Sequence, residues 1–205
     1  MKFLELESER LIYRKFKHED LPVFADWRGN LENNKYRISE PRNEAETLDY
    51  LDFLISKSNE EDCTYFGFAV VSKEDDTLIG AAFLYNLPES PNFPNSPEVG
   101  WEVHRDYWRQ GYGTEMGKTM LRLGFDILGL RRITTCCNAR NRGSYRIMEK
   151  IGMRREAHFI KAQRGNSALN FEWCDRFQYA ILQEEWITDN VLFREEAICK
   201  FGNVL

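Results

Sequence analysis

The chain has 205 residues, 42% of them hydrophobic and 30% charged, with a formal net charge of -5. That is enough for one sizeable domain with its own core, and the acidic balance argues against a general nucleic-acid binder, which carries a basic face. No apolar run approaches the roughly 20 residues that span a bilayer. The opening MKFLELESER lacks the apolar stretch of a signal peptide, so a cytoplasmic protein with no membrane partner is expected.

The elements alternate along the chain. Leu11–Arg14 reads as a first strand and Asp20–Asp26 as a first helix, with Pro22 tolerated in its opening turn. A second helix follows Pro41-Arg42-Asn43, because Leu48, Leu51 and Ile55 recur at helical spacing. Tyr65–Val71 and Leu78–Tyr85, separated by the turn Lys73–Asp76, form a hairpin. The prolines at 88, 91, 94 and 97 deny donors to a ladder and make a loop, after which Glu98–Val103 is strand-like. Met116, Met120, Leu123 and Ile127 then make one helical stripe that Gly129 can end. Arg132–Cys137 is β-prone, Ser144–Ile151 is a short helix stopped by Gly152, and late strands fall near Glu156–Lys161 and Phe171–Leu182. This order predicts an α/β (α+β) fold, a mixed sheet with helices on both faces. The expected division is one domain over 1–186 and a tail over 187–205, either a further helix or an oligomer contact.

Metal chemistry is not expected. The five cysteines are odd in number and form no C-x-x-C pair. Cys136 and Cys137 are adjacent in a strand and point to opposite faces, and the three histidines have no helical i, i+4 partner.

The stretch Trp108–Thr114, WRQGYGT, stands just before the long helix. A dinucleotide fingerprint needs a third glycine where Met116 stands. A P-loop needs a glycine where Tyr112 stands, and Gly117-Lys118 falls inside the helix, where amides are already bonded. What remains is the geometry both share: unbonded amides and the positive dipole end at a helix N-terminus suit a pyrophosphate, with Arg109 and Gln110 as added donors. An ordinary tight turn is the bland alternative.

The second polar element, N-A-R-N-R-G-S-Y-R-I-M-E-K-I-G-M at 138–153, follows a strand and opens a helix that Asn141 or Ser144 can cap. With R-Q-G-Y-G-T at 109–114, it makes the chain resemble the GNAT superfamily of acyl-CoA-dependent N-acyltransferases. The opening S-E-R-L-I-Y-R at 8–14 and the ending R-F-Q-Y-A-I-L-Q-E-E-W at 176–186 are similar to the branch of RimJ/RimL-type ribosomal-protein N-terminal acetyltransferases. The resemblance implies that acetyl-CoA is the cosubstrate. The amides of Gln110, Gly111, Tyr112, Gly113 and Thr114 would hold its pyrophosphate, with Arg109 beside them. Trp101 and Val103 would pair with its pantetheine arm, and Asn141 and Ser144 would face the thioester. Two positions depart from the family pattern. Trp108 replaces the loop's first Gln or Arg, and Met148 replaces the tyrosine that protonates the leaving thiolate in many members.

An ammonium acceptor must lose a proton before it attacks. Glu98 and Glu102 share one strand face; Glu98 sits where some members place a base, and the bland reading of either is a surface carboxylate. Ser144 can offer its hydroxyl to the thiolate or serve only as a cap. The expected function is acetyl transfer to a primary amine, either a protein N-terminus or a small amine, with the Pro88–Pro97 loop and Gln163–Asn170 as acceptor walls and the protein a monomer or homodimer. A non-catalytic acyl-CoA-binding module is the second reading, resting on Met148.

Overall fold

The computed structural model describes residues 2–87 and 97–189. In chain order the elements are β1 (Leu6–Glu7), β2 (Leu11–Arg14), α1 (Leu21–Gly29), α2 (Leu31–Asn34), α3 (Glu44–Ser58), β3 (Phe66–Ser72), β4 (Leu78–Tyr85) and β5 (Glu98–Val103). They continue with α4 (Tyr112–Arg122), β6 (Arg132–Asn138), α5 (Arg142–Lys150), β7 (Arg154–Arg164), β8 (Trp173–Leu182) and α6 (Gln183–Asp189). The strands form one sheet in the order β1-β2-β3-β4-β5-β6-β8-β7.

Side-chain alternation explains the two-sided core. On one face Phe66, Phe68 and Val70 of β3 meet Met116 and Met120 of α4 and Met148 of α5. On the other, Ala69 and Val71 of the same strand meet Phe24 and Trp27 of α1 and Leu51 and Leu54 of α3. A strand covered on both sides reads as a continuous apolar run, which is why FGFAVVS contains no charge. The expected mixed sheet with helices on both faces is what forms.

Local signals set the helix ends. The Asn43 side chain accepts the Glu46 amide while Glu46 returns a bond to the Asn43 amide, a reciprocal cap for α3. The stripe predicted through Ile127 does not stay α-helical: past Arg122 the backbone widens into a π turn at Leu123–Ile127, with the Leu128 amide reaching Leu123 at 3.0 Å. Ile127 is therefore only partly buried, and Gly129, at φ +64°, reverses the chain. The short β1 and α2 have no periodic signal. The expected tail at 187–205 begins inside α6, and residues 190–205 lie outside the described residues.

Candidate active site

Among the described residues only one neighbouring pair in the sheet, β5 and β6, runs parallel, and it is joined at a single register position, Glu98↔Thr134. By contrast, β4 and β5 stay paired from Gly80↔Val103 to Tyr85↔Glu98. Beyond the join the two strands separate, so a gap opens toward Val103 and Asn138. The Pro97 carbonyl accepts the Thr134 amide at 2.8 Å, and in a strand alternate residues share an edge. The backbone polar groups of Trp101 and Val103 therefore face this gap. Val103 has already spent its carbonyl, which accepts the Asn33 side-chain amide (3.0 Å) and the Trp108 indole N–H (2.8 Å). Trp101 is the freer strand partner.

At the mouth of the gap stand the N-termini of α4 and α5. The amides of Gln110, Gly111, Tyr112 and Gly113 donate to no backbone carbonyl among the described residues, whereas that of Thr114 turns back to the Gly111 carbonyl (3.0 Å). Arg109 and Gly111 adopt φ of +62° and +89°, a conformation that glycine adopts without cost and arginine does not. The Gln110 side chain is spent inside the loop, on the Asp106 carbonyl at 3.1 Å. The S-E-R segment acts as a clamp from the far end of the sheet. The Ser8 hydroxyl and the Arg10 amide both donate to Glu115 Oε1 (2.7 and 2.8 Å), Arg10 Nε donates to Oε2 (2.8 Å), and Nη1 donates to the Gln110 carbonyl (3.0 Å).

Gly113 also serves packing between helices. A Cβ there would lie 2.6 Å from Ile147 Cδ1 of α5, so the missing side chain lets the two helices meet. The cap of α5 is also decided: Asn141 Oδ1 accepts the Ser144 amide at 3.1 Å, leaving the Ser144 hydroxyl uncommitted to capping, near the Cys137 thiol. Met148 is 1% exposed and belongs to the core. Tyr145 packs at the core edge, with its ring 5.8 Å from Phe177.

Past the join, the face carrying α1 and α3 presents a second group of side chains. Glu98 accepts a hydrogen bond from the Cys136 thiol at 3.5 Å and lies beside the Tyr85 hydroxyl. Tyr85 stacks on Tyr65 (5.5 Å), whose hydroxyl meets that of Tyr50 at 3.2 Å. Burial, and then the Glu98 charge, push the Cys136 thiol up to about 11, so it is a neutral donor near pH 7.

Glu102 is neither a base nor a surface carboxylate. Its oxygens accept from Trp27 Nε1 (3.1 Å), from Arg28 Nη1 (2.7 and 3.0 Å) and from Arg37. Burial alone would raise its pKa, but the two guanidiniums more than offset that and hold it at about 2. An anion so tied cannot take a proton from an amine.

The expected acceptor-wall segment Gln163–Asn170 lies at the turn between β7 and β8. The tip of the β7–β8 hairpin folds over the segment after α2: Asn166 Nδ2 donates to the carbonyls of Asn34 (2.8 Å) and Ser39 (3.0 Å), and Gln163 Nε2 donates to that of Tyr36 (3.3 Å). Of the Pro88–Pro97 loop, residues 88–96 lie outside the described residues. Among the described residues no cluster of three or more His, Cys, Asp or Glu can hold a metal ion, and no helix is long and apolar enough to cross a membrane. The arginines at 28, 37 and 176 and the tyrosines at 50, 65 and 85 are the members of this face that sequence reading missed. Each reaches it from a separate element, and no spacing rule links them.

Residues 10–154 match the family described as acetyltransferase (GNAT) domain. The chain is 30% identical over 184 residues to the N-acetyltransferase YnaD of Bacillus subtilis (strain 168), a match covering 89% of this chain and 99% of that protein. Among solved structures, spermidine N-acetyltransferase of Vibrio cholerae in complex with CoA and spermine has a TM-score of 0.73 at 20% identity, over 88% of this chain and 99% of that one. Ribosomal-protein-S5-alanine acetyltransferase from Vibrio fischeri has a TM-score of 0.73 at 19% identity, over 89% and 98%. At such identities these two structures bear on the fold alone.

Proposed function

Because the chain belongs to the acetyltransferase (GNAT) family, we propose that it moves an acetyl group from acetyl-CoA to a primary amine by direct attack in a ternary complex. The observation that carries this reading is the gap between β5 and β6 with two helix N-termini at its mouth, four consecutive amides there having no backbone partner among the described residues. Such a row of donors at a positive dipole end suits a pyrophosphate, and the Trp101 edge suits an amide-bearing pantetheine arm laid like an added strand. Gln110 to Thr114 would hold the pyrophosphate with Arg109 at the rim, Trp101 and Val103 would flank the arm, and Asn141 and Ser144 would border the thioester. Coenzyme A fits these groups. The likeness of Ser8–Arg14 and Arg176–Trp186 to the RimJ/RimL-type branch favours an acceptor reached from outside the fold, a protein N-terminus or a small amine. We read 1–186 as a single domain.

In the transfer the amine nitrogen bonds to the thioester carbonyl carbon, the C–S bond breaks, and the proton shed by the amine passes to Glu98, directly or through water. Ser144 would donate its hydroxyl hydrogen to the sulfur as charge develops, a role that buried Met148 cannot fill. An acyl-enzyme on Cys136 is disfavoured, because its thiol is protonated at neutral pH.

The test combines binding and turnover on one preparation. Acetyl-CoA should raise the melting temperature, and a panel of amines should release thiol. Ser144→Ala should lower kcat by roughly 10-fold or more with acetyl-CoA affinity unchanged, and α5 keeps its Asn141 cap in that variant. Stabilisation by ATP or NAD instead of acetyl-CoA would overturn the reading. Saturable binding with no turnover of any amine would favour a non-catalytic acyl-CoA-binding module.

A further inference from the structure

The face around Glu98 carries more positive than negative charge. Arg28, Arg37 and Arg42 gather round Glu102 and the Tyr50 ring, which lies between the Arg28 and Arg42 guanidiniums at 4.6 and 4.4 Å. A fourth guanidinium comes from β8. Cys137 and Phe177 lie in the α4 side of the core, so alternation turns Cys136, Asn138, Arg176 and Gln178 to the face of Glu98. Arg176 Nη2 donates to Gln178 Oε1 at 3.1 Å, while its buried Nε has no partner among the described residues. Four guanidiniums thus face two carboxylates, and one of those, Glu102, is consumed by two of them. Of the nearby carboxylates, Glu172 is paired with Arg140, while Glu40 accepts from the neutral Ser167 amide and hydroxyl and keeps its charge, so among the described residues the positive excess of this face is small.

The Cys136 thiol lies between Glu98 and Arg176, within hydrogen-bonding reach of both. Cys136, on β6 between β5 and β8, reaches a group of each, so the tips of Glu98 and Arg176 are joined by one side chain. A molecule whose amine sits at Glu98 can therefore reach Arg176 through a short chain. Buried donors without acceptors are costly, and an arginine fork is suited to a planar carboxylate.

Resting on the acetyl-transfer reading, we propose that the acceptor is an amine bearing a carboxylate two to four bonds from its nitrogen, held by Arg176, and that this face excludes polyamines. A polyamine brings several positive charges to a surface that already has an excess and offers Arg176 no acceptor. A carboxylate supplies the missing acceptor and leaves the amine beside Glu98.

The test compares kcat/KM for matched acceptors: alanine against alaninamide, 4-aminobutanoate against its amide, and spermidine. At least one carboxylate should exceed its amide by 10-fold or more, with spermidine below both. Arg176→Gln should lower kcat/KM for the carboxylate by roughly 10-fold to 1000-fold and move the amide less than about threefold, with partial rescue in Arg176→Lys. Spermidine or the amides reacting as well as the carboxylates, or Arg176→Gln slowing both members of a pair equally, overturns the proposal. If no amine is turned over, calorimetric titration of the same compounds into the protein loaded with coenzyme A separates the two readings. Carboxylate binding that weakens in Arg176→Gln retains this site while acetyl transfer fails. Absence of such binding removes the site.

Discussion

Glu98 and Glu102 stand on one face of one strand, yet their surroundings assign them opposite parts. The difference comes from residues far away in the chain: Arg28 and Arg37 are 74 and 65 positions from Glu102, beyond the reach of any periodicity. Among the described residues Glu98 accepts from the Cys136 thiol and lies beside the Tyr85 hydroxyl, both neutral groups. The carboxylate proposed as the base stands among neutral groups, whereas one gripped by two guanidiniums is a structural anion. Glu102→Gln should therefore cost about 3–5 kcal/mol of stability, because Arg28, 2% exposed, would be left buried without its anion. The acid dependence follows from the depressed value of about 2 against an ordinary 4.5. The stabilisation is fully present above about 4.5 and is lost as pH falls toward 2. Urea denaturation from pH 7 to 2 should show the wild type losing this part of its stability while Glu102→Gln lacks that slope. Parallel curves for the two proteins would show that Glu102 is not charged in the folded state.

At the scale of elements, strands and helices with strong patterns could be read before the structure was known, and the reasons for some residues within them could not. Apolar runs and the Met116-Met120-Leu123 stripe placed β2 to β6 and α4: β3 and β4 are covered on both faces and read as nearly continuous apolar segments, and α4 has one face to bury. The π turn after Arg122 and the short α2 follow from packing between elements, which leaves no local pattern. The same distinction applies inside the glycine loop. Gly111 is explained by its positive φ, a local requirement, while Gly113 is explained by Ile147, on another helix. Gly113→Ala should therefore crowd Ile147, an overpacking that costs about 1–3 kcal/mol. Truncation in the double variant Gly113→Ala/Ile147→Val should recover about 1 kcal/mol of that, read as a coupling energy from four melting curves. If packing is the whole reason for this glycine, the double variant keeps wild-type acetyl-CoA affinity. Recovered stability with lost affinity would mean that the bare Cα also faces the pyrophosphate.

Across the whole molecule, the gap that makes the site also divides the sheet, β1 to β5 on one side and β6, β8 and β7 on the other. A sheet opened this way needs fastening elsewhere. One fastening is the α4–α5 contact on the core side, where Gly113 and Gly117 admit Ile147 and Ile151. The other is the hairpin tip on the opposite face, where Asn166, 1% exposed, donates to the Asn34 and Ser39 carbonyls and accepts the Ala168 amide at 3.1 Å. The segment it holds carries Arg37, which ties this fastening to the Glu102 cluster and to the face proposed for the acceptor. Asn166→Ala removes a donor from two carbonyls, one of them on Asn34, itself buried, so it should cost about 1–3 kcal/mol. Its kinetic effect should be one-sided. The α4 and α5 N-termini lie at the other fastening, so acetyl-CoA should raise the melting temperature of the variant by as much as it raises that of the wild type. The loosened wall should instead raise KM for the amine several-fold, at a temperature where the variant is fully folded, because a site whose competent form is less populated binds more weakly in proportion. Equal losses in acetyl-CoA and amine affinity would mean that the two fastenings act as one, and that the gap closes as a unit.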